Sequence, residues 1–376
     1  MKKIFSFALI ASAMVAGFSS CSNDDEVPGA SQSAELTRTI GFDVKGNLAN
    51  ATRGFATTAA NADTAIPDFQ TWAYDDTTDG LYMGSSITVG KTVAGDGAGN
   101  WSYSPTQFWP VNPLNFVAIA PAEPNGVSAN TTASEGNIVT LNTTLTLSPN
   151  VEDQSDIMYA EADDIEKTDH TGNVPFTFKH ALSQIVFKGK FNNEGAVTKA
   201  TIAEISLCNV KNAATLVFNS NGQFYGGDTK PAISDGAATF MLDANDLEGS
   251  VWEASTQGTN AFDLTVSNNS TKKNAWMMIP QSVNAWDGTT VDALGVPNDG
   301  GAYIKLRVKL EKDGVVIKDN ADTDALYLPL NINWDRTKKY IYTIEFNGTN
   351  ALTPITFSVK AEDWTNADPQ PGQIDF

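Results

Sequence analysis

One stretch near the middle of the chain limits the possible folds more than any other: Asn173-Val-Pro-Phe-Thr-Phe-Lys-His-Ala-Leu-Ser-Gln-Ile-Val-Phe-Lys-Gly-Lys-Phe191. Phe176, Phe178, His180 and Leu182 alternate with Thr177, Lys179, Ala181 and Ser183, the period of two that gives a strand one buried face. Ile185, Phe187 and Phe191 are then odd-numbered, so the apolar parity slips by one. A slip of one residue would turn a whole face toward water unless a bulge or bend restores it. The stretch therefore reads as a strand that turns a corner and opens a second domain.

Short apolar runs between Gly, Asn, Asp and Pro recur on both sides of that corner. Before it they fall at 39–45, 68–74, 80–89, 100–103, 114–120, 137–147 and 156–160. After it they fall at 200–210, 214–219, 237–242, 262–267, 275–280, 303–311, 325–330, 339–346 and 355–360. In the run from Tyr303, Ile304, Leu306, Val308 and Leu310 face one way, and Lys305, Arg307 and Lys309 the other, as in a half-buried antiparallel strand. No long run has a 3.6-residue apolar period and no solenoid repeat is visible. The expectation is an all-β chain of two β-sandwich domains in tandem, residues 54–172 and 173–376, and 376 residues are enough to give each a core.

Residues 1–20 read as a signal peptide: Lys2 and Lys3, the mainly apolar Ile4 to Phe18, then Ser19 and Ser20 before Cys21. Small residues ahead of a cysteine at this distance from a basic start resemble a lipoprotein signal, although Phe18 stands where Leu is usual. Cys21 is then the acylated first residue, and outer-membrane lipid is a partner, each buried methylene contributing ~0.8 kcal/mol. An ordinary signal peptide with an incidental cysteine is the alternative. Ser22-Asn-Asp-Asp-Glu26 resembles the acidic export tag of surface lipoproteins, and a solvated linker has the same composition. Cys208 is the only other cysteine, so the mature chain holds no internal disulfide.

Residues 21–53 are expected to form an acidic tether, the first strand and a propeptide. In Thr39-Ile-Gly-Phe-Asp-Val-Lys45, Ile40, Phe42 and Val44 share one face. Arg38 and Arg53 flank this strand, in a chain with only four arginines. A cut after Arg38 leaves the strand in place; a cut after Arg53 releases it.

Constellations that carry chemistry are sparse. The formal net charge of −20 repels nucleic acid over the whole surface. The two histidines, His170 and His180, have no metal-ligand spacing to a cysteine or carboxylate cluster, and no cofactor is called for. Ser183, His180 and Asp169 form a triad only on paper, because neighbours along one strand point to opposite faces. Asp75-Asp-Thr-Thr-Asp-Gly80 begins like a calcium loop but has Ser86 where the bidentate Glu belongs. Asp163-Asp164 or Glu362-Asp363 would serve a glycosidase only if folding set them across a cleft. Trp101, Trp109, Trp276, Trp334 and Trp364 offer sugar-stacking faces, yet all sit in or beside strands, where core packing is their commoner use.

Several segments together resemble the fimbrillin family of Bacteroidota, the type V pilins. Trp101-Ser-Tyr-Ser-Pro-Thr-Gln-Phe-Trp-Pro110 followed by Leu114-Asn-Phe-Val-Ala-Ile-Ala-Pro121 is similar to the family's Trp-x-Tyr, Trp-Pro and Phe-x-Ala-x-x-Pro strands. Phe178-Lys-His-Ala-Leu-Ser-Gln-Ile185 is similar to its Phe-x-His-x-Leu-x-x-Ile strand. Met278-Ile-Pro-Gln281, Trp334 with Tyr340-Ile-Tyr-Thr-Ile344, and Phe357-Ser-Val-Lys-Ala-Glu-Asp-Trp364 resemble the closing strands.

The resemblance implies two transthyretin-like sandwiches, an outer-membrane lipoprotein precursor, and assembly with other fimbrillin subunits by strand exchange. An arginine-specific protease would cut at Arg53 and detach Ile40, Phe42 and Val44, and a neighbour's strand would fill the groove by β-augmentation. Only twelve residues follow Trp364, Pro369 and Pro371 among them, which is short for a stalk donor and points to a tip or accessory pilin. A surface lipoprotein that binds glycans without polymerising is the second reading, and a glycosidase-like enzyme the third. Arg53 after a detachable strand separates the first from the second, and the third needs convergent carboxylates that no constellation in the sequence singles out; the host or bacterial surface ligand is named by no motif.

Overall fold

The computed structural model describes residues 39–46, 66, 68–167, 173–192, 197–224, 230–234, 236–265, 274–320, 324–347 and 355–364. These lie in one body that runs from Arg38 to Phe376. The fold is all β: among the described residues the helical elements are the single turns Val151–Asp153 and Ala254–Gln257. None is long and apolar enough to cross a membrane.

The corner inferred from the parity slip is where the chain passes between sheets. Asn173–His180 belongs to an eight-stranded sheet, and Ser183–Phe191 to a five-stranded one. Val174, Phe176 and Phe178 face one core; Leu182, Ile185, Phe187 and Phe191 face another. The slip is thus a change of core, with Ala181 and Leu182 at the turn.

The eight-stranded sheet runs in the order Gly41–Gly46, Asn173–His180, Met158–Ile165, Leu114–Ala120, Asp68–Asp75, Lys91–Gly95 and Trp101–Ser102, with Leu81–Met83 paired to Asp68–Asp75. All seven residues of Leu114–Ala120 are buried, because both faces of this sheet are covered. Trp72, Tyr74, Val117 and Ile119 face a four-stranded sheet contributing Val139, Leu141, Leu216 and Phe218. Phe69, Ala73, Phe116 and Ala118 face the opposite core, which the first strand completes.

The four-stranded sheet pairs Ala213–Asn219 with Ile138–Thr146 along their lengths. Backbone pairing therefore crosses residue 173, where sequence patterning begins the second sandwich, and one apolar cluster runs from Trp72 to Trp364. The later strands pack as a five-stranded sheet around Ser183–Phe191 and Lys338–Phe346 against a six-stranded one around Lys199–Lys211 and Tyr303–Lys312.

Two segments depart from their expected form. Only Leu81–Met83 of the run 80–89 is a strand. Ser86 Oγ accepts from the amides of Thr88 and Val89, and the amides of Ser85 and Ser86 donate to the Val89 carbonyl, holding a loop in which Ile87 and Val89 are exposed. Conversely, Val127–Glu135 is a strand without apolar alternation; it is a sheet edge whose one buried residue is Thr132.

Candidate functional site: the first strand and its groove

Gly41–Gly46 is the terminal strand of the eight-stranded sheet and pairs in parallel with Asn173–His180, from Gly41 opposite Asn173 to Gly46 opposite Phe178. The next strand, Met158–Ile165, reaches only Lys179 and His180. Over Asn173–Phe178 the ladder is therefore made with the first strand.

Alternation seats the strand as its sequence requires. Ile40, Phe42 and Val44 are 2%, 7% and 3% exposed, while Asp43 and Lys45 face water with a 3.3 Å ion pair of little energetic weight. Burying each of the three apolar side chains contributes about 1.5–3 kcal/mol. Phe42 stacks on Phe176 with ring centroids 5.6 Å apart and meets Phe69 and Tyr103 edge-on at 5.4 and 5.7 Å. Such contacts add about 0.5–1.5 kcal/mol each beyond area burial.

The sheet also curls, so that its far end meets its first strand. The Ile40 amide donates to the Gln107 carbonyl at 2.9 Å, and Thr39 bridges Phe108. The Tyr103 hydroxyl donates to the Ile40 carbonyl at 2.8 Å and accepts from the Gln107 amide at 3.3 Å. Burial pushes the Tyr103 hydroxyl above its ordinary range, so it stays a proton donor. The first strand closes the core from two sides, and its removal leaves a groove walled by Asn173–His180 and by the segment after Trp101.

Neither Cys21 nor Arg53 lies within the described residues. Ser183, His180 and Asp169 are not assembled: Ser183 Oγ donates to the Asp335 carbonyl at 2.9 Å, Asp169 lies outside the described residues, and His180 pairs with Asp156. His180 is buried, its Nδ1 is 2.9 Å from Asp156 Oδ2, and its ring lies flat on Trp364 at 3.7 Å.

The calcium-loop carboxylates bind protein donors. Asp75 takes the Asn112 amide, Asp76 those of Asn115 and Asn137, and Asp79 the Ser134 hydroxyl. Among the described residues no three His, Cys, Asp or Glu converge as metal ligands. Asp163 accepts from Ser220, while Glu362 and Asp363 pair with Lys339 and Lys338. Trp276, Trp334 and Trp364 are buried; Trp101 and Trp109 are half-buried against the first core.

Sequence reading missed two things. Tyr103 and Gln107 stand some sixty residues from the strand they hold, and only the Trp-x-Tyr motif marked their neighbourhood. The last strand, Ile355–Asp363, begins Ile355-Thr-Phe-Ser-Val-Lys360 and so repeats the first strand's Ile40-Gly-Phe-Asp-Val-Lys45 at four of six positions. It too is a sheet edge, paired among the described residues with Lys338–Phe346 alone, with Ile355 buried and Phe357 and Val359 half-buried.

No curated protein matches the chain. Its fold is similar to that of a fimbrial protein from Bacteroides vulgatus, at 17% identity and a TM-score of 0.54 over 87% of this chain and 99% of that one. The tip fimbrial protein Mfa3 of Porphyromonas gingivalis, in a C-terminally truncated form, aligns at 12% identity and a TM-score of 0.37 over 87% and 99%. Residues 52–364 match the fimbrillin-like family, from just before Arg53 to the tryptophan that stacks on His180. The chain belongs to the fimbrillin-like family.

Proposed function

We propose that the protein is a pilin-type adhesion subunit of surface fimbriae that polymerises by strand exchange and catalyses no reaction. In this reading the precursor is held at the outer membrane through acylated Cys21, and an arginine-specific protease cuts after Arg53. The freed first strand leaves, and a strand from another subunit takes its place. The observation that carries the reading is the position of the first strand: terminal in its sheet, N-terminal to Arg53, and supplying Ile40, Phe42 and Val44 to an otherwise open core. An open groove of that kind is adhesive for any strand of matching pattern, which suits a subunit activated only at its place of assembly.

The chain itself carries a matching strand. Ile355, Phe357, Val359 and Lys360 stand in the order and spacing of Ile40, Phe42, Val44 and Lys45. The last strand of a second copy is therefore the proposed donor, and its edge position makes it the easier to release. The family and the solved fimbrial relative support a place in the fimbrium at the cell surface.

The test is to treat the precursor lacking residues 1–21 with an arginine-specific protease and to follow N-terminus, mass and oligomeric state. Cleavage after Arg53 followed by detergent-stable ladders, with Arg53→Ala remaining monomeric, is the expected result. A folded precursor that resists cleavage at Arg53 would rule the mechanism out, and one that is cut cleanly but does not self-assemble would mark a capping tip subunit.

A further inference from the structure

The groove does more than offer an apolar surface. Its middle position is an aromatic box with walls from three separate segments: Phe69 of Asp68–Asp75, Tyr103 after Trp101–Ser102, and Phe176 of Asn173–His180. All three ring centroids lie 5.4–5.7 Å from that of Phe42, in one stacked and two edge-on arrangements. This geometry rewards a flat side chain. An aliphatic residue there keeps part of the buried area but loses the ring contacts, and a small one leaves a cavity among three rings.

Register is set at the same place. The Tyr103 hydroxyl holds the carbonyl, and the Gln107 carbonyl the amide, of the residue two before the aromatic. A strand shifted by one residue would turn its polar side chains inward; one shifted by two would put an aliphatic residue in the box.

Resting on the strand-exchange reading, we infer that the groove is selective: it admits a strand with an aromatic side chain at the central one of three inward positions, Tyr103 and Phe176 setting specificity and register. The partner that fits is a second copy of this chain, with Phe357 taking the place of Phe42. Leu114-Asn-Phe116-Val-Ala118 and Val174-Pro-Phe176-Thr-Phe178 have similar spacing, but both are held inside the eight-stranded sheet, whereas Ile355–Asp363 lies at an edge. One adjustment is needed. A Cβ at position 41, which Thr356 would bring, overlaps Asn173 Oδ1, and that exposed side chain must rotate aside.

The experiment uses the full chain with a recognition sequence for an unrelated, sequence-specific protease inserted after Arg53, so that nicking does not depend on arginine processing. The nicked protein, its first strand still bound, is offered labelled peptides of residues 39–45 and 355–361 with the phenylalanine kept or changed to Leu or Ala. Both native peptides should replace the first strand, the Phe→Ala peptides should bind roughly a hundredfold more weakly, and the Phe→Leu peptides should fall between. Tyr103→Ala in the receiving chain should narrow the gap between the Phe and Leu peptides. Equal binding of Phe and Ala peptides would overturn the selectivity and leave strand exchange standing. Failure of every peptide to exchange would overturn both.

Discussion

The Tyr103 phenol donates its proton to the carbonyl of Ile40 at 2.8 Å while its ring lies 5.7 Å from that of Phe42. A single side chain thus grips the first strand by both backbone and side chain. It does so from the opposite end of the sheet.

Tyr103→Phe keeps the ring and removes the hydroxyl. The Ile40 carbonyl loses its donor and the Gln107 amide an acceptor, a cost of about 1–2 kcal/mol. The expected outcome is faster amide exchange confined to residues 39–46 and 103–108, with a small loss of global stability in urea. Unchanged exchange in the first strand would mean that the hydroxyl does not hold it.

His180→Ala should be costly. It removes the partner of a carboxylate, Asp156, that has almost no access to water, and it takes away the ring on which Trp364 lies. Leaving a buried hydrogen-bonding group without its partner costs about 1–3 kcal/mol, and the lost ring contact adds to it. Asp156→Asn retains a hydrogen-bonding partner and should cost less. Urea midpoints of both variants, with Trp364 fluorescence followed alongside, check the order; a milder effect for His180→Ala would contradict the pairing.

Acid should weaken the later half of the protein through Glu204. Burial opposes ionisation of this carboxyl, but hydrogen bonds from Lys305 at 2.8 Å and Ser206 at 2.6 Å, with the charge of Arg307, outweigh it and hold the group below its ordinary 4.5. Its folded value lies below its unfolded one, so the stabilisation is present above about pH 4.5 and is lost as pH falls through the folded value. Glu204→Gln should be less stable than the parent at neutral pH and lose less on acidification. Parallel stability curves for the two would show that the cluster contributes nothing.

Val315–Asp319 is a sheet edge that places Val315, Val316 and Ile317 in water at 67%, 45% and 39% exposure. Three adjacent β-branched residues on a free edge are an invitation to unplanned pairing. Val316→Lys should reduce light scattering of concentrated protein with a change in stability within about 0.5 kcal/mol. No change in scattering would show that this edge is already protected.

Local pattern carried far in this chain. Leu114–Ala120 has the bounds that its apolar run and flanking residues imply, and the slip between His180 and Ile185 coincides with the passage between two cores. Pattern could not say which sheet a strand joins, because pairing is decided between distant segments. Ala213–Asn219 reads as an ordinary strand of the later half, yet it ladders with Ile138–Thr146. Val127–Glu135 escaped notice for a different reason: an edge strand with one buried position leaves no alternation to read. For the candidate site, the inward residues Ile40, Phe42 and Val44 were legible, but the walls were not. Phe69, Tyr103 and Phe176 meet only because the sheet curls.

The ladder between Ala213–Asn219 and Ile138–Thr146 gives the molecule a mechanical character. In a filament joined as proposed, tension enters a subunit at the groove beside Asn173–His180 and leaves through its last strand. Between those points stands a sheet to which both halves of the chain contribute, packed into one continuous core. Pulling the halves apart would have to shear or strip that ladder rather than stretch a linker. Such a subunit transmits force as a stiff body, and under load the filament would part at the exchanged strands between subunits before it parted within one.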